Sequence, residues 1–305
     1  MPSLSSLSRR ELGAQLAGDG IWLQTGRFVA RLQSAVPGVA DGLHLLYGDY
    51  PLRDSQGFAD FHLRLERPKN LRRWFRPQVH MRYDGQADFL PLPYGHAFPM
   101  FEWGLNWCVS SRANRYLIIH AAVLERDGHA VVLPAPPGSG KSTLTAALAY
   151  HGWRLLSDEL TLINPEDGHV LPCPRPISLK NASIGLMRGF LPQAVMSPPV
   201  HNTEKGTVAH LKAPADSVLR AHETVPPAWV IFPKWQADAP PTLTPLTRAQ
   251  TFIQLAENAF NYDLLGARGF DTMAAVIDGA QGYQFTYSRL DDALDVFARL
   301  APPAL

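Results

Sequence analysis

The most constraining feature of this sequence is the glycine-rich stretch PAPPGSGKST at residues 134–143. It matches the phosphate-binding pattern G-x-x-x-x-G-K-[ST] except at the first position, where Ala135 replaces glycine. That position needs a small residue more than a flexible one if its φ stays negative, so Ala135 weakens the match only slightly. Such a loop is expected between a strand and a helix.

The residues on both sides of the stretch predict that context. Residues 116–135, YLIIHAAVLERDGHAVVLPA, contain two apolar runs separated by a turn, which is typical of a hairpin whose second strand enters the loop. Residues 141–153 are rich in Ala and Leu and predict a helix ending at Gly152. RLLSDELTLI, residues 154–163, predicts a further strand. These flanks favour nucleotide binding over a polar turn that merely caps a helix.

Residue patterns elsewhere predict an α/β chain with a β-rich α+β N-terminal region. The predicted strands are 21–33, 58–68, 79–85 and 228–235, and the predicted helices are 101–113, 247–260 and 288–300. Residues 172–192 predict a strand and then a short helix, and 197–214 a mobile loop. Ser288 and Asp291 suggest a capping box. We expect an N-terminal region, 1–112, that could select the substrate, and a catalytic domain, 113–305.

Composition and charge narrow the class of protein. The net charge of +1 argues against a surface built to bind nucleic acid. The basic run RPKNLRRWFRPQ, residues 67–78, is expected to be a solvated loop or a contact for an acidic partner. The sequence lacks the apolar run of about 18 residues that a membrane span needs. Two cysteines are too few for a disulfide framework. We therefore expect a cytoplasmic protein without nucleic-acid or membrane partners.

The loop predicts how a nucleotide would be held. Successive backbone N–H groups and the positive end of a helix dipole suit a chain of phosphates. Lys141 is expected to reach the β- and γ-phosphates, and Ser142 to place its hydroxyl on Mg²⁺. The predicted nucleotide-binding residues are Pro137, Gly138, Ser139, Gly140, Lys141, Ser142 and Thr143.

Two acidic residues follow the loop after one more predicted strand. Asp158 and Glu159 end the run LLSDE, where a carboxylate can hold Mg²⁺ or accept a proton from a hydroxyl group. Neighbouring side chains on a strand point to opposite faces, so one of the two is expected to face the site unless the strand has ended; we predict Asp158. His120, in the apolar run LIIHAAV, is either a core residue or part of the site.

Residues 120–163, HAAVLERDGHAVVLPAPPGSGKSTLTAALAYHGWRLLSDELTLI, resemble the HPr kinase/phosphorylase family, and within it the smaller HprK-related kinase A group. The resemblance implies a P-loop kinase core, a mixed sheet flanked by helices. It also implies ATP as donor, with ADP left open, Mg²⁺, and a serine-like hydroxyl acceptor in a protein, peptide or small molecule. Relatives of this kind commonly form homo-oligomers, which leaves the oligomeric state open here.

The resemblance also implies roles for individual residues. It makes Lys141 the phosphate-binding lysine, Ser142 a metal ligand and Asp158 the acid/base that deprotonates the acceptor. Glu159 stands where the family usually has a second aspartate, so both acids are candidate metal ligands. His120 matches the family's histidine near the catalytic acid.

The sequence departs from the family in the stretch RPISLKNASIGLMRG, residues 175–189. The arginine-glycine-leucine-glycine signature is missing, and Lys180 stands where a metal-binding glutamate is expected, which puts reverse phosphorolysis in doubt. Lys180 is expected either to neutralise the transferred phosphate or to cover a sheet edge. Lys205 and Thr207 lie in the predicted mobile loop, which either closes on substrate or is simply solvated.

Two other functions stay open on the sequence. One is a nucleotide-dependent switch that transfers no phosphate, although the guanine-specifying pattern Asn-Lys-x-Asp does not occur. The other is a small-molecule kinase of another phosphate-loop lineage, for which Arg175 and Arg188 would be sparse lid residues.

Overall fold

Two six-stranded and two three-stranded sheets organise residues 2–55, 57–86 and 89–302, the part of the chain that this computed structural model describes. The N-terminal helices are α1 (Arg9–Ala17), α2 (Pro37–Leu46) and α3 (Ala97–Arg112). The N-terminal strands are β1 (Ile21–Thr25), β2 (Phe28–Ser34), β3 (Leu52–Arg53), β4 (Phe61–Glu66), β5 (Gln78–Tyr83) and β6 (Leu92–Pro93). Short 3-10 turns cover Leu4–Ser6, Leu71–Arg73 and Tyr94–His96.

The N-terminal sheet has the strand order β3-β1-β2-β4-β5-β6. β2 and β4 run parallel, and the other neighbours are antiparallel. Alternate residues of β2 and β4 are buried, so one face of the sheet packs against α1, α2 and α3. The same alternation leaves charged side chains on the other face.

The single strand predicted over residues 21–33 is two strands of a hairpin. β1 and β2 pair antiparallel from Ile21↔Leu32 to Thr25↔Phe28, with a two-residue turn between them. Gly26 in that turn has φ +57, a left-handed conformation that glycine adopts without a steric penalty. Apolar residues continue on both sides of so short a turn, which concealed it in the sequence pattern.

The C-terminal region begins after α3. Its strands are β7 (Leu117–Ile119), β8 (Ala121–Arg126), β9 (His129–Pro134), β10 (Arg154–Ser157), β11 (Thr161–Ile163), β12 (Val170–Leu171), β13 (Ile177–Lys180), β14 (Val200–Thr203), β15 (Gly206–Leu211), β16 (Pro227–Trp235), β17 (Thr242–Pro245) and β18 (Gln281–Tyr287). Its helices are α4 (Lys141–Ala149), α5 (Ala182–Phe190), α6 (Ala215–Leu219), α7 (Arg248–Ala256), α8 (Tyr262–Leu265), α9 (Ala267–Gly279) and α10 (Leu290–Ala298).

The central C-terminal sheet has the order β10-β8-β9-β16-β18-β17. β9, β16 and β18 are parallel, and β10 runs in the same direction because it and β9 are both antiparallel to β8. α4 and α10 pack on one face and α7 and α9 on the other, each over its own buried apolar cluster. The chain is therefore a mixed α/β protein with mixed sheets flanked by helices.

The structure corrects three further local predictions. The single strand predicted over residues 154–163 is two strands, β10 and β11, which belong to different sheets. Residues 200–211 form the hairpin β14–β15 instead of a mobile loop, because β15 is the buried middle strand of the sheet β13-β15-β14. The N-cap residue of α10 is Arg289, whose side chain makes no capping hydrogen bond to the described residues. The capping box expected from Ser288 and Asp291 is therefore not formed in this part of the chain. The Ser288 hydroxyl donates to the Ala239 carbonyl oxygen at 2.8 Å instead.

The predicted boundary between residues 112 and 113 falls where α3 ends. Buried side chains on both sides of it belong to one continuous apolar cluster, and Phe28 contacts Tyr116 edge to face across it. Contacts between the N- and C-terminal regions are therefore extensive. In the described ranges, helices long and apolar enough to cross a bilayer are not found.

Candidate functional site

The glycine loop, residues 135–140, joins β9 to α4 as the sequence predicted. Gly138 and Gly140 have φ +88 and +87, so the loop turns through conformations that other residues avoid. Ala135 is buried and its φ is not positive, which explains why alanine is accepted there. Pro137 is exposed, and Ser139 is half-buried.

Two aromatic residues brace the loop from neighbouring strands. The Trp235 amide, at the end of β16, donates to the Ser139 carbonyl oxygen at 2.8 Å. The Tyr287 hydroxyl, at the end of β18, donates to the Gly140 carbonyl oxygen at 3.1 Å. A Cβ on Gly140 would lie 2.5 Å from that hydroxyl, so glycine is required by space as well as by φ.

The sheet brings further polar residues to the same edge. β9, β10, β16 and β18 all end there, and ligands of open α/β sheets bind outside the carboxyl ends of such strands. Asp158 follows β10 directly. His120 precedes β8, whose first residue pairs with Pro134 at the entry to the loop.

Lys141 is the first residue of α4 and lies buried, with 8 % of its surface exposed. Its ammonium nitrogen Nζ has no hydrogen-bond partner among the described residues. Burial lowers its pKa, and the nearby Asp158 and Glu159 carboxylates oppose that shift. A buried donor without an acceptor costs on the order of 1–3 kcal/mol, so an anion at this point would be stabilising.

Asp158 is also buried, with 5 % of its surface exposed. One carboxylate oxygen, Oδ2, accepts from the Ser178 amide at 3.2 Å, whereas Oδ1 has no partner among the described residues. Burial raises the pKa of Asp158 to about 6, although Lys141 lowers it. The Ser142 hydroxyl lies beside the same carboxyl group and also lowers its pKa. Ser142 and Thr143 are half-buried in the first turn of α4.

Glu159 faces the site together with Asp158, because β10 ends at Ser157 and the alternation of the strand ends with it. Its carboxylate oxygen Oε2 accepts from the Asn106 side-chain amide at 3.1 Å. Burial would raise the pKa of Glu159, but the positive charges of Lys205, Lys141, Lys180 and Arg175 hold it below its ordinary value. Glu159 is therefore ionised at neutral pH.

A buried polar chain connects Glu159 with the core of the N-terminal region. The Tyr47 hydroxyl donates to Glu102 at 2.7 Å, and the Glu102 carboxylate lies 3.5 Å from the Arg175 guanidinium. Arg175 also donates to the side-chain oxygen of Asn106, which holds Glu159. Burial raises the pKa of Glu102 to about 7, against the lowering effect of Arg175.

His120 is half-buried, and its ring lies 5.7 Å from that of Phe260. Burial and then the charge of Lys141 lower its pKa to about 4, so the imidazole is neutral at pH 7. The charges of Glu159, Lys180 and Lys205 also act on it, which places His120 near the acidic pair and the lysines. Its neutral ring can accept or donate one hydrogen bond there.

The three substrate candidates lie on the small sheet β13-β15-β14 or its hairpin turn. Lys180 ends β13, and its charge reaches both Lys141 and Glu159. Lys205, in the β14–β15 turn, holds its ammonium nitrogen 5.1 Å from the ring centre of Trp103 on α3. Thr207 Oγ1 instead lies 3.2 Å from the His201 ring nitrogen Nδ1.

Buried polar atoms without partners provide a test of whether a nucleotide and Mg²⁺ fit this site. Lys141 Nζ, Ser139 Oγ and Asp158 Oδ1 are such atoms. A donor beside the glycine loop suits phosphate oxygens, and a hard carboxylate oxygen suits Mg²⁺. The described residues contain no group of three or more His, Cys, Asp or Glu side chains able to hold a metal ion. Mg²⁺ at phosphate sites usually takes one or two carboxylates and completes its shell with phosphates and water, so the residues fit.

Comparisons with known proteins add no family. A scan against models of protein families and a search of curated proteins both gave no match.

Sequence reasoning missed the contribution of α3. Glu102 and Asn106 are one helical turn apart in an otherwise apolar stretch, and that spacing puts two polar side chains on one face. Arg175 entered the sequence argument only as a lid candidate, yet it bridges these two residues. A polar pair at i and i+4 within an otherwise apolar helix was the available signal.

Proposed function

We propose that this chain is a nucleotide-dependent phosphotransferase with a P-loop core of the HPr-kinase type, moving a phosphoryl group from ATP to a serine-like hydroxyl. One observation carries the proposal: Lys141 Nζ and Asp158 Oδ1 are both buried beside the glycine loop, and neither has a hydrogen-bond partner in the part of the chain that the structure describes. At this edge of the sheet a lysine ammonium can neutralise the phosphoryl group that is transferred, and a carboxylate can take the proton of the acceptor hydroxyl.

The glycine loop and the start of α4 would bind the donor phosphates. The first N–H groups of a helix lack acceptors within the helix, and the dipole adds positive potential there. Lys141 would neutralise the phosphoryl group that is transferred, in a site where low exposure strengthens charge interactions. The Trp235 and Tyr287 hydrogen bonds fix the loop before the donor arrives, so little reorganisation is needed.

Asp158 would orient the acceptor hydroxyl and take its proton. Its pKa of about 6 leaves the carboxyl group ionised at neutral pH while keeping it more basic than an ordinary aspartate. The Ser178 amide fixes Oδ2 and leaves Oδ1 directed to the hydroxyl.

When Asp158 serves as the base, Ser142 and Glu159 are the residues that would hold Mg²⁺, which supplies positive charge to the transferred phosphoryl group when bound. Asn106 holds the Glu159 carboxylate in place. Lys180 and Lys205 would add positive charge on the acceptor side.

The test is transfer of label from [γ-³²P]ATP to components of a cell extract, with a parallel arm using β-labelled ADP. We expect a labelled acceptor with the parent chain, and phosphoserine on its hydrolysis if the acceptor is a peptide or protein. Lys141→Ala should lose labelling together with nucleotide binding. Asp158→Asn should bind nucleotide but fail to label the acceptor.

Other outcomes would contradict the proposal in distinct ways. ATP hydrolysis that no extract fraction stimulates would favour a nucleotide-dependent switch. Undiminished labelling by Asp158→Asn would show that Asp158 is not the general base. Label on a sugar or nucleoside alone would point to another phosphate-loop lineage.

A further inference from the structure

Residues 67–77, which we call the basic–aromatic loop, connect β4 to β5 and present three large apolar side chains to solvent. Leu71, Trp74 and Phe75 are 80 %, 72 % and 69 % exposed. They are contained within five consecutive residues around a short 3-10 turn. Contiguous exposed apolar groups of this size are uncommon on soluble surfaces and mark interaction sites.

The same loop is strongly basic. Arg67, Lys69, Arg72, Arg73 and Arg76 are interleaved with the apolar residues, and residues 67–77 contain no Asp or Glu. The Arg73 guanidinium lies 5.7 Å from the ring centre of Trp74, and that of Arg76 lies 5.8 Å from the ring centre of Phe75. Cations therefore surround the apolar side chains instead of forming a separate patch.

The base of the loop is anchored to the folded chain. Arg67 stacks on Tyr94 with 4.3 Å between guanidinium and ring centre, and it donates to the Tyr94 hydroxyl at 2.7 Å. The Tyr94 amide donates to the Pro77 carbonyl oxygen at 2.9 Å, at the other end of the loop. Both ends of the loop are therefore held by Tyr94, while the side chains of Leu71, Trp74 and Phe75 between them are exposed to solvent.

Positive charge continues on the exposed face of the adjacent sheet. Arg31, Arg64 and Arg82 line a shallow groove there, and Arg64 lies directly opposite Arg82. Glu66 pairs with Arg64 and Arg82, at 3.2 and 2.7 Å, and Asp84 also lines the groove, so these two acids compensate part of the charge of the three arginines.

We propose that the basic–aromatic loop docks this protein on the surface of an anionic lipid bilayer. Leu71, Trp74 and Phe75 would enter the interface between headgroups and acyl chains, where tryptophan and other amphipathic or apolar side chains are favoured. The arginines and Lys69 would stay at the level of the lipid phosphates. This peripheral contact is independent of the proposed phosphotransfer and differs from the expectation of no membrane partner.

The exposed leucine beside the two aromatic rings favours lipid over the other polyanions. A nucleic acid would stack on the two aromatic rings but has no apolar environment for Leu71. A bilayer accepts all three side chains at once and needs no complementary groove.

The experiment is flotation of the full-length chain with phosphatidylcholine vesicles, with and without phosphatidylserine. We expect binding to the anionic vesicles only, weakened by salt. Arg72→Gln/Arg73→Gln should reduce the partition coefficient roughly tenfold or more, since each basic residue near the surface contributes about fivefold. Trp74→Ser/Phe75→Ser should also reduce it roughly tenfold or more, because it removes two large apolar side chains from the interface. Vesicles should shift tryptophan emission to the blue in the parent, and Trp74→Phe should remove that shift.

Leu264→Ser/Arg289→Gln is the matched control, because these residues are 69 % and, in the side chain, 71 % exposed outside the loop. It should bind vesicles as the parent does. Equal binding to neutral and anionic vesicles, or no binding to either, would overturn the proposal. So would tight binding to RNA or polyglutamate that survives Trp74→Ser/Phe75→Ser. The flotation experiment contains no nucleotide, so a negative result in it would not count against the proposed phosphotransfer.

Discussion

Asn106, on α3 of the N-terminal region, donates its side-chain amide to Glu159 at 3.1 Å, across 53 positions of sequence. Its side-chain oxygen accepts from Arg175, which is also paired with Glu102. The N-terminal region therefore supplies a residue that holds one of the two acids of the candidate site. Residues that fix the orientation of a metal ligand also affect metal affinity.

Asn106→Ala is expected to lower the affinity for Mg²⁺ more than the affinity for nucleotide. Without the amide, Glu159 loses the hydrogen bond that orients it, and outer partners of this kind are worth roughly 10- to 100-fold in metal affinity or activity. The measurement is phosphoryl transfer as a function of Mg²⁺ concentration. Ser110→Ala, one turn further along α3, should behave like the parent, since its hydroxyl donates only to the Trp107 carbonyl oxygen among the hydrogen bonds found here. If Asn106→Ala shows the same Mg²⁺ dependence as the parent, Asn106 does not orient Glu159 for Mg²⁺ binding.

Lys141→Met should separate stability from activity. The buried ammonium has no partner among the described residues, so an apolar side chain of similar length should leave thermal stability equal or higher. Phosphoryl transfer should fall on the order of 10²-fold or more, as expected for losing a group that stabilises transition-state charge. Thermal denaturation and the labelled transfer assay check the two halves. A destabilised variant would show that the ammonium is satisfied in the ligand-free protein.

Asp158 should give the activity a rising limb in its pH profile, centred near pH 6. Burial raises its pKa to about 6, and the group must be ionised to accept a proton, so kcat should increase with pH through that range. Glu159 lies beside it, so the apparent value belongs to the pair. Asp158→Asn should lose the limb and on the order of 10²- to 10⁴-fold of the rate. A limb that persists in the variant would belong to another group.

The same substitution should stabilise the fold at higher pH. The folded-state pKa of Asp158 is above its ordinary value of 3.8, so the folded protein favours the protonated form, and stability is lost as pH rises through about 6. Asp158→Asn, which stays neutral, should therefore exceed the parent in Tm at pH 8. The difference should vanish near pH 4. Each kcal/mol corresponds to roughly 2–4 °C for domains of about 150–250 residues, so scanning calorimetry at both pH values can resolve it. Equal Tm at pH 8 would contradict the raised pKa.

Two glycines of the loop should respond differently to alanine. Both have positive φ, which costs an alanine on the order of 1 kcal/mol, but only at Gly140 would the Cβ also meet the Tyr287 hydroxyl, at 2.5 Å. Gly140→Ala should thus displace the loop and lose most nucleotide affinity, whereas Gly138→Ala, whose Cβ faces open space, should lose much less. Calorimetric titration with ATP measures both. Equal losses would mean that φ alone decides.

The sequence by itself determined the local parts of this protein. The apolar run ending at Pro134, the glycines and Lys141 predicted strand, loop and helix, and the structure confirms that order. Asp158 could be located after the next strand for the same reason. These features depend on residues close together in the chain, where periodicity and backbone preference are decisive.

Only the tertiary structure decided which distant residues meet. The Pro, Asn and Gly content of residues 197–214 predicted a mobile loop, and it did not show that β15 would pair with β13 and β14 in a hairpin. Likewise, nothing in the spacing of Asn106, Glu159 and Arg175 joins them. Their contact depends on how α3, which packs on the N-terminal sheet, is placed beside the segment that follows β10. Packing partners are set by the complementarity of whole surfaces, which local sequence does not encode.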